Sequence, residues 1–292
     1  MTTNISIVIP AKNEQKTLGP VIREILTLCD SPIYKITEVI LVNDGSSDNS
    51  AQVAIEAGAR VISHPYSKGN GAAIKTGARS ATGDVIVFMD GDGQHTPEDI
   101  PRLVERLLQG YDLIVGARQR GSQASLGRSI ANKFYNKFAS YMTGHKIEDL
   151  TSGFRAVKAN KFREFLSLLP NGFSYPTTST MAFFRAGYSV AYEPIHAAQR
   201  VDESNSHINI LKDGIRFLLI IFKVGTLYSP LKLFLPIAAT VFLTGLSYYG
   251  YTFFTAGRFT NMSALMFTTA LIIFMVGLVS EQITALMYKD NN

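Results

Sequence analysis

The sequence is poor in cysteine, and its C-terminal part almost lacks charge. The only cysteine among the 292 residues, Cys29, excludes an internal disulfide and fits a reducing compartment. Residues 233–257 contain no charged side chain, and neither do residues 259–280. Each run exceeds the roughly 20 apolar residues needed to cross a bilayer core. The sequence therefore predicts two transmembrane helices, at about 231–256 and 260–286, joined by a short loop.

Positive charge is distributed unevenly around these two runs. Only Arg258 lies between them, whereas Lys212, Arg216, Lys223 and Lys232 precede the first run. Because cytoplasmic flanks are enriched in Lys and Arg, this bias predicts that the large N-terminal region and both termini are cytoplasmic. A buried hairpin of soluble helices is the alternative, but soluble helices seldom lack charge on every face. The amino end is short and polar and leads into a strand, so we expect no cleavable signal peptide.

The glycine-rich segment 68–74 lacks the spacing of the common nucleotide-binding loops. The third glycine or alanine of the dinucleotide fingerprint would fall on Ile74, and the sequence contains no Walker-type G-x-x-x-x-G-K. The sequence therefore argues against classical NAD binding and P-loop ATP binding. We also find no internal repeat.

Short apolar strands and helices alternate through the N-terminal region. Strands are predicted at 5–10 (stopped by Pro10), 39–42, 61–62, 85–89 and 112–116. Helices are predicted at 13–28, after a cap at Ser47 or Asp48, from 68–74 onward, from Thr96 to about Gln109, and from Ser125. This alternation predicts an α/β fold with a mostly parallel sheet and helices on both faces.

Two carboxylates follow the most apolar strand directly. Asp90 and Asp92 stand two residues apart after residues 85–89, which is typical of a buried strand ending at an acidic site. Such oxygen-rich sites suit Mg²⁺ or Mn²⁺ already carrying phosphates, so we interpret both aspartates as metal ligands. A surface turn is the alternative, because Asp and Gly are common turn residues. A calcium loop fits poorly, because His95 and Pro101 stand where that loop needs Gly and Glu.

Polar side chains at three predicted strand ends can line the same crevice. Asp44, the Asp90 and Asp92 pair, and Arg118 each follow a predicted strand. Ligands of open α/β sheets gather at the carboxyl edge of the strands. These residues therefore predict a site for a nucleotide diphosphate and a metal ion.

Five ordered motifs resemble the family 2 glycosyltransferases of the GT-A fold. They are residues 9–14 (IPAKNE), 42–46 (VNDGS), 90–94 (DGDGQ), 116–118 (GAR) and 149–155 (DLTSGFR). Together with the C-terminal runs they look most like the polyprenyl-phosphate branch, which includes dolichyl-phosphate mannose synthase and bacterial undecaprenyl-phosphate sugar transferases. The resemblance covers essentially the whole chain and implies a Rossmann-like GT-A domain.

The resemblance implies roles for particular residues on the donor side. Asp90 and Asp92 would hold Mg²⁺ or Mn²⁺ on the diphosphate, with Gln94 beside them. The nucleotide would be lined by Pro10, Ala11, Asn13, Glu14, Val42, Asp44 and Lys68. Simple packing at a strand end is the alternative for Pro10 and Val42. We interpret His95 as a solvated loop histidine, with support of the metal site as its alternative.

On the acceptor side the resemblance points to arginines. Arg118, Arg128 and Asn132 would hold the acceptor's phosphate, because arginine presents a fixed fork of donors. The alternative for the basic, aromatic segment after Ser125 is an amphipathic surface helix, and we expect no nucleic-acid partner. Arg155 would support this pocket or a nearby loop, with a structural salt bridge as an equal alternative.

Two segments depart from the family pattern. Residues 173–180 carry Ser and Thr where relatives often have a carboxylate, which puts sugar recognition by an acid in doubt. Arg200 and Ser206 match a loop that would close over the diphosphate, but His207 stands where lysine is usual. That closure is therefore expected to be weaker or sensitive to pH.

The segment after Ile208 is amphipathic. Asn209, Lys212, Asp213 and Arg216 share one helical face, which predicts a helix in the membrane interface that faces anionic headgroups. Core packing is its alternative. The predicted organisation is a GT-A catalytic domain at 1–206, this interfacial helix at 207–229, and a transmembrane hairpin at 230–292 through which copies of the chain could associate.

The function predicted from these features is inverting, metal-dependent transfer of a hexose from a nucleotide diphosphate sugar to polyprenyl phosphate at the cytoplasmic membrane face. Asp90, Asp92, Arg118 and Arg128 would carry the reaction. One alternative is transfer to a hydroxyl of a glycan or lipid, with Asp149 as general base. Another is a non-catalytic subunit that binds nucleotide sugars. A transporter is not favoured, because two charge-free helices offer no polar pathway.

Overall fold

A computed structural model describes residues 2–28, 31–118, 126–172, 175–195, 222 and 225–289, with only the backbone of 126–132, 288 and 289. The chain divides into two compact units, one of residues 1–140 and 145–207 and the other of residues 141–144 and 208–292. The strands are β1 Thr3–Ala11, β2 Tyr34–Asn43, β3 Arg60–Ser63, β4 Val85–Phe88, β5 Leu113–Arg118, β6 Arg155–Lys158 and β7 Val190–Ile195. The helices are α1 Gln15–Thr27, α2 Ser50–Glu56, α3 Asn70–Ser80, α4 Ile100–Leu108, α5 Leu126–Thr143, α6 Ala159–Glu164, α7 Tyr175–Arg185, α8 Pro230–Ala256 and α9 Asn261–Lys289, with a 3₁₀ turn at Pro97–Asp99 before α4.

The first unit is built on one seven-stranded sheet in the order β3-β2-β1-β4-β6-β5-β7. Only β6 runs antiparallel to its neighbours, β4 and β5. The predicted α/β fold with a mostly parallel sheet is therefore confirmed, although the sequence analysis did not identify β6, β7, α6 or α7. Strand β4 and most of β1, at the centre of the sheet, are buried, because helices cover the sheet and most of their residues are apolar.

Strand β1 continues through Pro10, so the prediction that this proline stops the strand is wrong. Pro10 pairs with Val42 and Ala11 with Asn43 on β2. Val8 accepts a hydrogen bond from Met89 on the β4 side. By the two-residue period of a strand, Pro10 faces that same side, beyond the end of β4. The proline therefore costs the sheet no hydrogen bond between strands, although it lacks an N–H.

The second unit contains a hairpin of two long apolar helices, α8 and α9. Both are long and apolar enough to cross a membrane, which suggests membrane association. The helices approach closely at glycines: a Cβ on Gly245 would lie 2.9 Å from Met266, and one on Gly277 would lie 2.6 Å from Phe234. Glu281 Oε2 accepts a hydrogen bond from the backbone N of Leu231, which satisfies one free donor at the start of α8. The predicted interfacial helix at 207–229 lies largely outside the described residues.

Candidate functional site

A cavity of about 500 Å³ opens at the carboxyl ends of β1, β2 and β4. Its wall includes the end of β1, the Asp90–Asp92 turn, and the loop that leads into α3. The lining residues are Pro10, Ala11, Lys12, Glu14, Asp44, Ser67, Gly69, Asn70, Ala73, Asp90, Gly91, Asp92 and Gln94. The structure thus brings together most of the residues that the motifs predict for a nucleotide and a metal ion.

The two aspartates of this cavity are held by the chain around them. Asp92 Oδ1 accepts a hydrogen bond of 3.1 Å from the backbone N of Gln94. Asp90 lies against Gly153, where a Cβ would come within 2.6 Å of its Oδ2. Burial raises the pKa of Asp90, but His95 and the positive charges of Arg155 and Arg118 outweigh this and lower the pKa. This lowered pKa favours the ionised form of Asp90, which is the form that binds a metal ion.

His95 is buried, so its interpretation as a solvated loop histidine is wrong. It is 6% exposed, and its ring packs on Phe154 with centroids 5.0 Å apart. Its Nε2 lies 3.6 Å from Asp90 Oδ2. Its Nδ1 is buried and has no hydrogen-bond partner within the part of the chain that the structure describes. The ring therefore lies directly beside the metal-binding candidate.

A smaller cavity of about 100 Å³ adjoins the larger one. The two share Asn70 and Asp90 in their walls. The remaining walls come from the turn before β6 and from the first turn of α7. These residues are Thr151, Gly153, Tyr175, Pro176 and Thr177. Apart from Asp90, the lining is uncharged and includes two hydroxyl groups of threonine.

Arg155 lies beneath this smaller cavity and is fully buried. Its Nη1 donates hydrogen bonds to Pro176 O at 3.1 Å, Ser179 Oγ at 2.7 Å and Thr180 Oγ1 at 3.3 Å. Its Nη2 donates to Ser152 O. No carboxylate among the described residues forms an ion pair with it, so the salt-bridge alternative is wrong. Burial lowers its pKa, which the surrounding tyrosines and carboxylates only partly offset.

Arg118, at the end of β5, forms a bidentate pair with Asp149. The Nε–Oδ2 and Nη2–Oδ1 distances are 2.8 and 3.0 Å, and Nη2 also donates to Thr151 Oγ1 at 2.6 Å. Burial raises the pKa of Asp149, but its hydrogen bonds and ion pair with Arg118 outweigh this and lower the pKa. Because base strength falls with pKa, Asp149 is a weak candidate for a general base.

Three other residues that the motifs predict for the nucleotide have contacts away from the cavity walls. Asn13 has a left-handed backbone with φ of 58°, and its Oδ1 accepts a hydrogen bond of 2.8 Å from the backbone N of Ser47. Val42 is fully buried, and its side chain packs near Gly77. The Lys68 amine lies 5.7 Å from the centroid of the exposed Tyr66 ring. None of the three is among the residues that line either cavity.

Several predictions concern residues outside the described part of the chain. The side chains of Arg128 and Asn132 belong to this group, and so do Arg200, Ser206 and His207. Their proposed contacts stay predictions. Of the Ser and Thr residues at 173–180, those from Thr177 to Thr180 are described and buried.

Sequence reasoning missed several residues at the cavities. Lys12 stands inside a quoted motif and could have been included on that ground. Thr151 stands inside the quoted 149–155 motif in the same way. Asn70 and Tyr175 are brought to the cavity by a loop or helix from separate parts of the chain, and no local pattern marks them. His64 is buried against Asp44, with Nδ1–Oδ1 at 2.7 Å, and a lone histidine after a short strand predicts no such contact.

Comparison with protein families gives two matches. The model "Glycosyl transferase family 2" matches residues 6–166, which is more than half of the chain. The model "GtrB C-terminal hairpin" matches residues 229–286. The first match contains Asp44, Asp90, Asp92 and Arg118, and the second contains both apolar helices.

Several solved structures share this fold. One is glucosyl-3-phosphoglycerate synthase from Mycobacterium tuberculosis in complex with Mn²⁺, UDP and phosphoglyceric acid, which is 26% identical with a TM-score of 0.58 over 75% of this chain and 78% of that chain. The same enzyme with Mg²⁺ and UDP is 28% identical, with a TM-score of 0.58 over 75% and 79%. A further mycobacterial protein is 26% identical, with a TM-score of 0.59 over 75% and 74%.

Proposed function

Because the chain belongs to glycosyltransferase family 2, we propose that it transfers a hexose from a nucleotide diphosphate sugar to the phosphate of a polyprenol at a membrane surface. The match of its C-terminal helices to a GtrB hairpin supports a membrane acceptor. The N-terminal unit and both termini would be cytoplasmic, as the distribution of Lys and Arg indicates.

The larger cavity would take the nucleotide diphosphate. Asp90 and Asp92 line it together with the Gln94 side chain, and carboxylate and amide oxygens are the donors that Mg²⁺ and Mn²⁺ accept. The solved relatives bind Mn²⁺ or Mg²⁺ with UDP, which supports the same chemistry here. Such an ion, when bound, would offset the charge that grows on the departing diphosphate. The sugar would extend from the diphosphate into the smaller cavity beside Asp90.

The state of Asp149 is the observation that carries the choice of acceptor. A hydroxyl acceptor needs a base to remove its proton, whereas a phosphate monoester is already an anion near neutral pH. Asp149 is committed to Arg118 through two hydrogen bonds, and its pKa is lowered. This favours an acceptor that needs no base. Direct attack by the phosphate would invert the anomeric carbon, and Arg118, Arg128 and Asn132 would hold that phosphate.

Transfer to a hydroxyl is the second candidate. It is favoured by the solved relatives, one of which contains phosphoglyceric acid and is named for making glucosyl-3-phosphoglycerate. That small acceptor also carries a phosphate group. An arginine site for phosphate is therefore compatible with either candidate, and product analysis separates them.

The test is product formation by the purified full chain in detergent with Mn²⁺. UDP-glucose and GDP-mannose serve as donors, and undecaprenyl phosphate, undecaprenol and 3-phosphoglycerate serve as acceptors. We expect glycolipid only with undecaprenyl phosphate, and an inverted anomeric configuration in the product. Transfer to undecaprenol or 3-phosphoglycerate instead would favour the hydroxyl candidate, and no transfer from any donor would favour a binding subunit.

Arginine variants refine the same test. Arg118→Ala and Arg128→Ala each remove charge-assisted hydrogen bonds worth about 1.5–3 kcal/mol, so the KM for undecaprenyl phosphate should rise about ten- to a hundredfold. In Arg128→Ala nucleotide binding should change little, and lysine there should rescue only in part, because it lacks the planar fork. Arg118→Ala also leaves the buried Asp149 carboxylate without its bidentate partner, so thermal unfolding is measured beside its KM. Loss of nucleotide affinity with unchanged acceptor dependence would place the acceptor phosphate elsewhere.

A further inference from the structure

Helix α5 has a polar residue at every fourth position along one face. The period of a helix places Arg128, Asn132, Asn136 and Ser140 on that face. The first two are the residues proposed for the acceptor phosphate. The side chains of the last two are described, and both contact the chain segment 147–150. The same face of α5 therefore carries the proposed phosphate ligands and a set of contacts to another part of the first unit.

Asn136 joins α5 to that segment by two hydrogen bonds. Its Nδ2 donates to Glu148 O at 2.7 Å, and its Oδ1 accepts from the backbone N of Leu150 at 3.1 Å. Because one atom of the amide must donate and the other must accept, only one orientation of the side chain makes both bonds. One turn later, Ser140 Oγ accepts from the backbone N of Ile147 at 2.9 Å. The segment is therefore aligned along α5 over one helical turn.

The residue between the two bonds of Asn136 is Asp149, the partner of Arg118. Asp149 is 6% exposed, and its carboxylate accepts from the guanidinium of Arg118 and, at 3.3 Å, from the backbone N of Arg118. The bonds at Glu148 and Leu150 hold the chain on both sides of Asp149, which limits the movement of its backbone. Asn136 is thus linked to the arginine at the end of β5 through one residue.

Tyr135, the preceding residue on α5, makes a second link. It is 2% exposed, and its hydroxyl donates to Thr177 Oγ1 at 3.2 Å. Thr177 lines the smaller cavity, where the sugar would lie. Apolar contacts hold a helix against a core but tolerate small sliding and turning, whereas hydrogen bonds of defined direction set its register. Two adjacent residues of α5 therefore set its register against the Asp149 segment and against α7.

We propose that Asn136 and Tyr135 are positioning residues that hold α5 in register with Arg118, so that arginines from β5 and α5 meet at one acceptor phosphate. The proposal rests on the proposed function in taking Arg118 and Arg128 as the ligands of that phosphate. A guanidinium fork binds phosphate strongly only in a defined geometry, so two forks on separate elements need those elements fixed to each other. The hydrogen bonds themselves are independent of the reaction.

The first test is hydrogen exchange at the Leu150 amide, measured by mass spectrometry on the full chain in detergent without substrates. Asn136→Leu removes both hydrogen bonds with a side chain of similar size, so exchange should be about tenfold faster. Asn136→Asp keeps an acceptor for this amide and should exchange close to the wild-type rate. Lys137→Leu is the matched control, because it places the same side chain at the next, exposed position and should change nothing.

The second test compares acceptor use with nucleotide binding. The KM for undecaprenyl phosphate at saturating donor should rise about tenfold in Asn136→Leu and about threefold in Tyr135→Phe, which removes a single oxygen atom. The Kd of UDP or GDP with Mn²⁺, measured by calorimetry, should stay within about twofold of the wild-type value. A general loss of stability would not separate these two constants. Lys137→Leu should leave both unchanged.

A double variant shows whether Asn136 acts through Arg128. In Arg128→Ala protein, Asn136→Leu should raise the KM by about threefold or less, because only Arg118 remains to be positioned. A full tenfold rise in that background would mean that the two residues act independently, which would overturn the positioning of Arg128 by Asn136.

Each remaining result also decides one part of the proposal. Unchanged exchange at Leu150 in Asn136→Leu would overturn the tether between α5 and the segment. Faster exchange with an unchanged KM would overturn its role in acceptor binding. Wild-type protein that binds a nucleotide but does not use undecaprenyl phosphate would count against the proposed function, and the exchange rates would still decide whether Asn136 holds the segment.

Discussion

At the scale of single residues, Asp90 depends on a glycine from a distant part of the chain. Gly153 precedes β6, and its missing side chain leaves the space that the Asp90 carboxylate occupies. Two carboxylates that share a metal ion must keep their oxygens in place to a fraction of an ångström. Gly153 therefore serves the acidic turn by its missing side chain, whereas Arg155 of the same motif acts through its charge, which lowers the pKa of Asp90.

Gly153→Ala should displace Asp90 and lower activity. The new Cβ would lie 2.6 Å from Oδ2, which is closer than real contacts allow. Because a shift of about 1 Å at a reacting centre can cost a hundredfold in rate, we expect kcat to fall at least about tenfold. Gly172→Ala is the matched control, since a Cβ there meets nothing within 4 Å. Equal activity of both variants would contradict the role of Gly153.

Asp92→Asn should abolish turnover while leaving the fold intact. The change removes one proposed anionic metal ligand but keeps the side-chain shape, so the backbone N of Gln94 can still donate to the remaining oxygen. Turnover is measured with Mn²⁺ at saturating donor, and thermal unfolding confirms the fold. Near-normal activity of the wild type in excess chelator would refute the metal role on which this expectation depends.

The sequence predicts the acidic residues of the site but not their buried partners. Apolar strands end at the polar residues Asp44, Asp90, Asp92 and Arg118. Because parallel strands have their carboxyl ends at the same edge of the sheet, these residues are expected at one site. His95 gives the opposite case, because burial depends on Phe154, which lies nearly sixty positions away in the chain. Local composition carries no information about such a contact.

At the scale of helices and strands, the first turn of α7 is held by a buried cation. Arg155 donates to a backbone carbonyl and two hydroxyls of α7. Tyr175, at the start of the same helix, donates its hydroxyl to Gly153 O at 2.9 Å. These bonds fix the wall of the smaller cavity. They also explain Ser179 and Thr180, because the hydroxyls of these residues accept hydrogen bonds from the buried guanidinium.

Arg155→Lys should destabilise the first unit although it keeps the charge. A single amine cannot reach Pro176 O, Ser179 and Ser152 O together, so at least one hydrogen bond to a charged group is lost. We expect the free energy of unfolding to fall by about 2–3 kcal/mol, which corresponds to a melting temperature about 5–10 °C lower for a domain of this size. Thermal unfolding of the full chain in detergent measures it.

The exposed Arg79→Lys on α3 serves as the control for the same chemical change and should leave the melting temperature unchanged. If Arg155→Lys has the same melting temperature as Arg79→Lys, the Arg155 guanidinium is not the group that holds α7.

The strands that sequence reasoning missed share a physical cause. β6 has only four residues, and one of them is Arg155, so no apolar run marks it. β7 is only partly buried along most of its length and contains Glu193 and Pro194. Both strands form because the backbone N–H and C=O groups of the neighbouring strands, β4 and β5, pair with them. Predicted strands such as β4, in contrast, are apolar at every position.

The N-terminus of α3 also shows how far the sequence alone can predict a binding site. A glycine-rich turn before a helix usually suggests phosphate binding by free N–H groups. Here Gly71 N donates to Gly172 O at 3.1 Å and Ala72 N donates to Asn171 O at 2.9 Å. The glycine at 71 is required because a Cβ would lie 1.9 Å from Pro170 O. The turn therefore binds a loop of the protein itself.

At the scale of the whole molecule, a polar sheet domain is combined with an apolar hairpin. The hairpin helices carry charge only near their ends, and Glu281 is used to complete the start of α8. Both helices were predicted from missing charge alone, to within a few residues, because a bilayer demands length and apolarity and little else. The segment between the sheet domain and the hairpin stays a prediction from its periodicity.

The last prediction separates the two means of membrane attachment. A chain of residues 1–230 lacks the hairpin but keeps the predicted interfacial helix, whose cations include Lys212 and Arg216. It should still float with liposomes that contain anionic lipid, and less with neutral ones, because each Lys or Arg near such a surface contributes about 1 kcal/mol. Raising the salt concentration should weaken this binding.

The matched control is the same chain with Lys212→Glu and Arg216→Glu, which reverses the charge without changing the apolar face. We expect it to lose the preference for anionic lipid. Flotation of the shortened chain that is indifferent to lipid charge and salt would contradict an interfacial helix. The segment would then belong to the core of the protein, and the hairpin alone would bring the donor cavity to the polyprenyl phosphate.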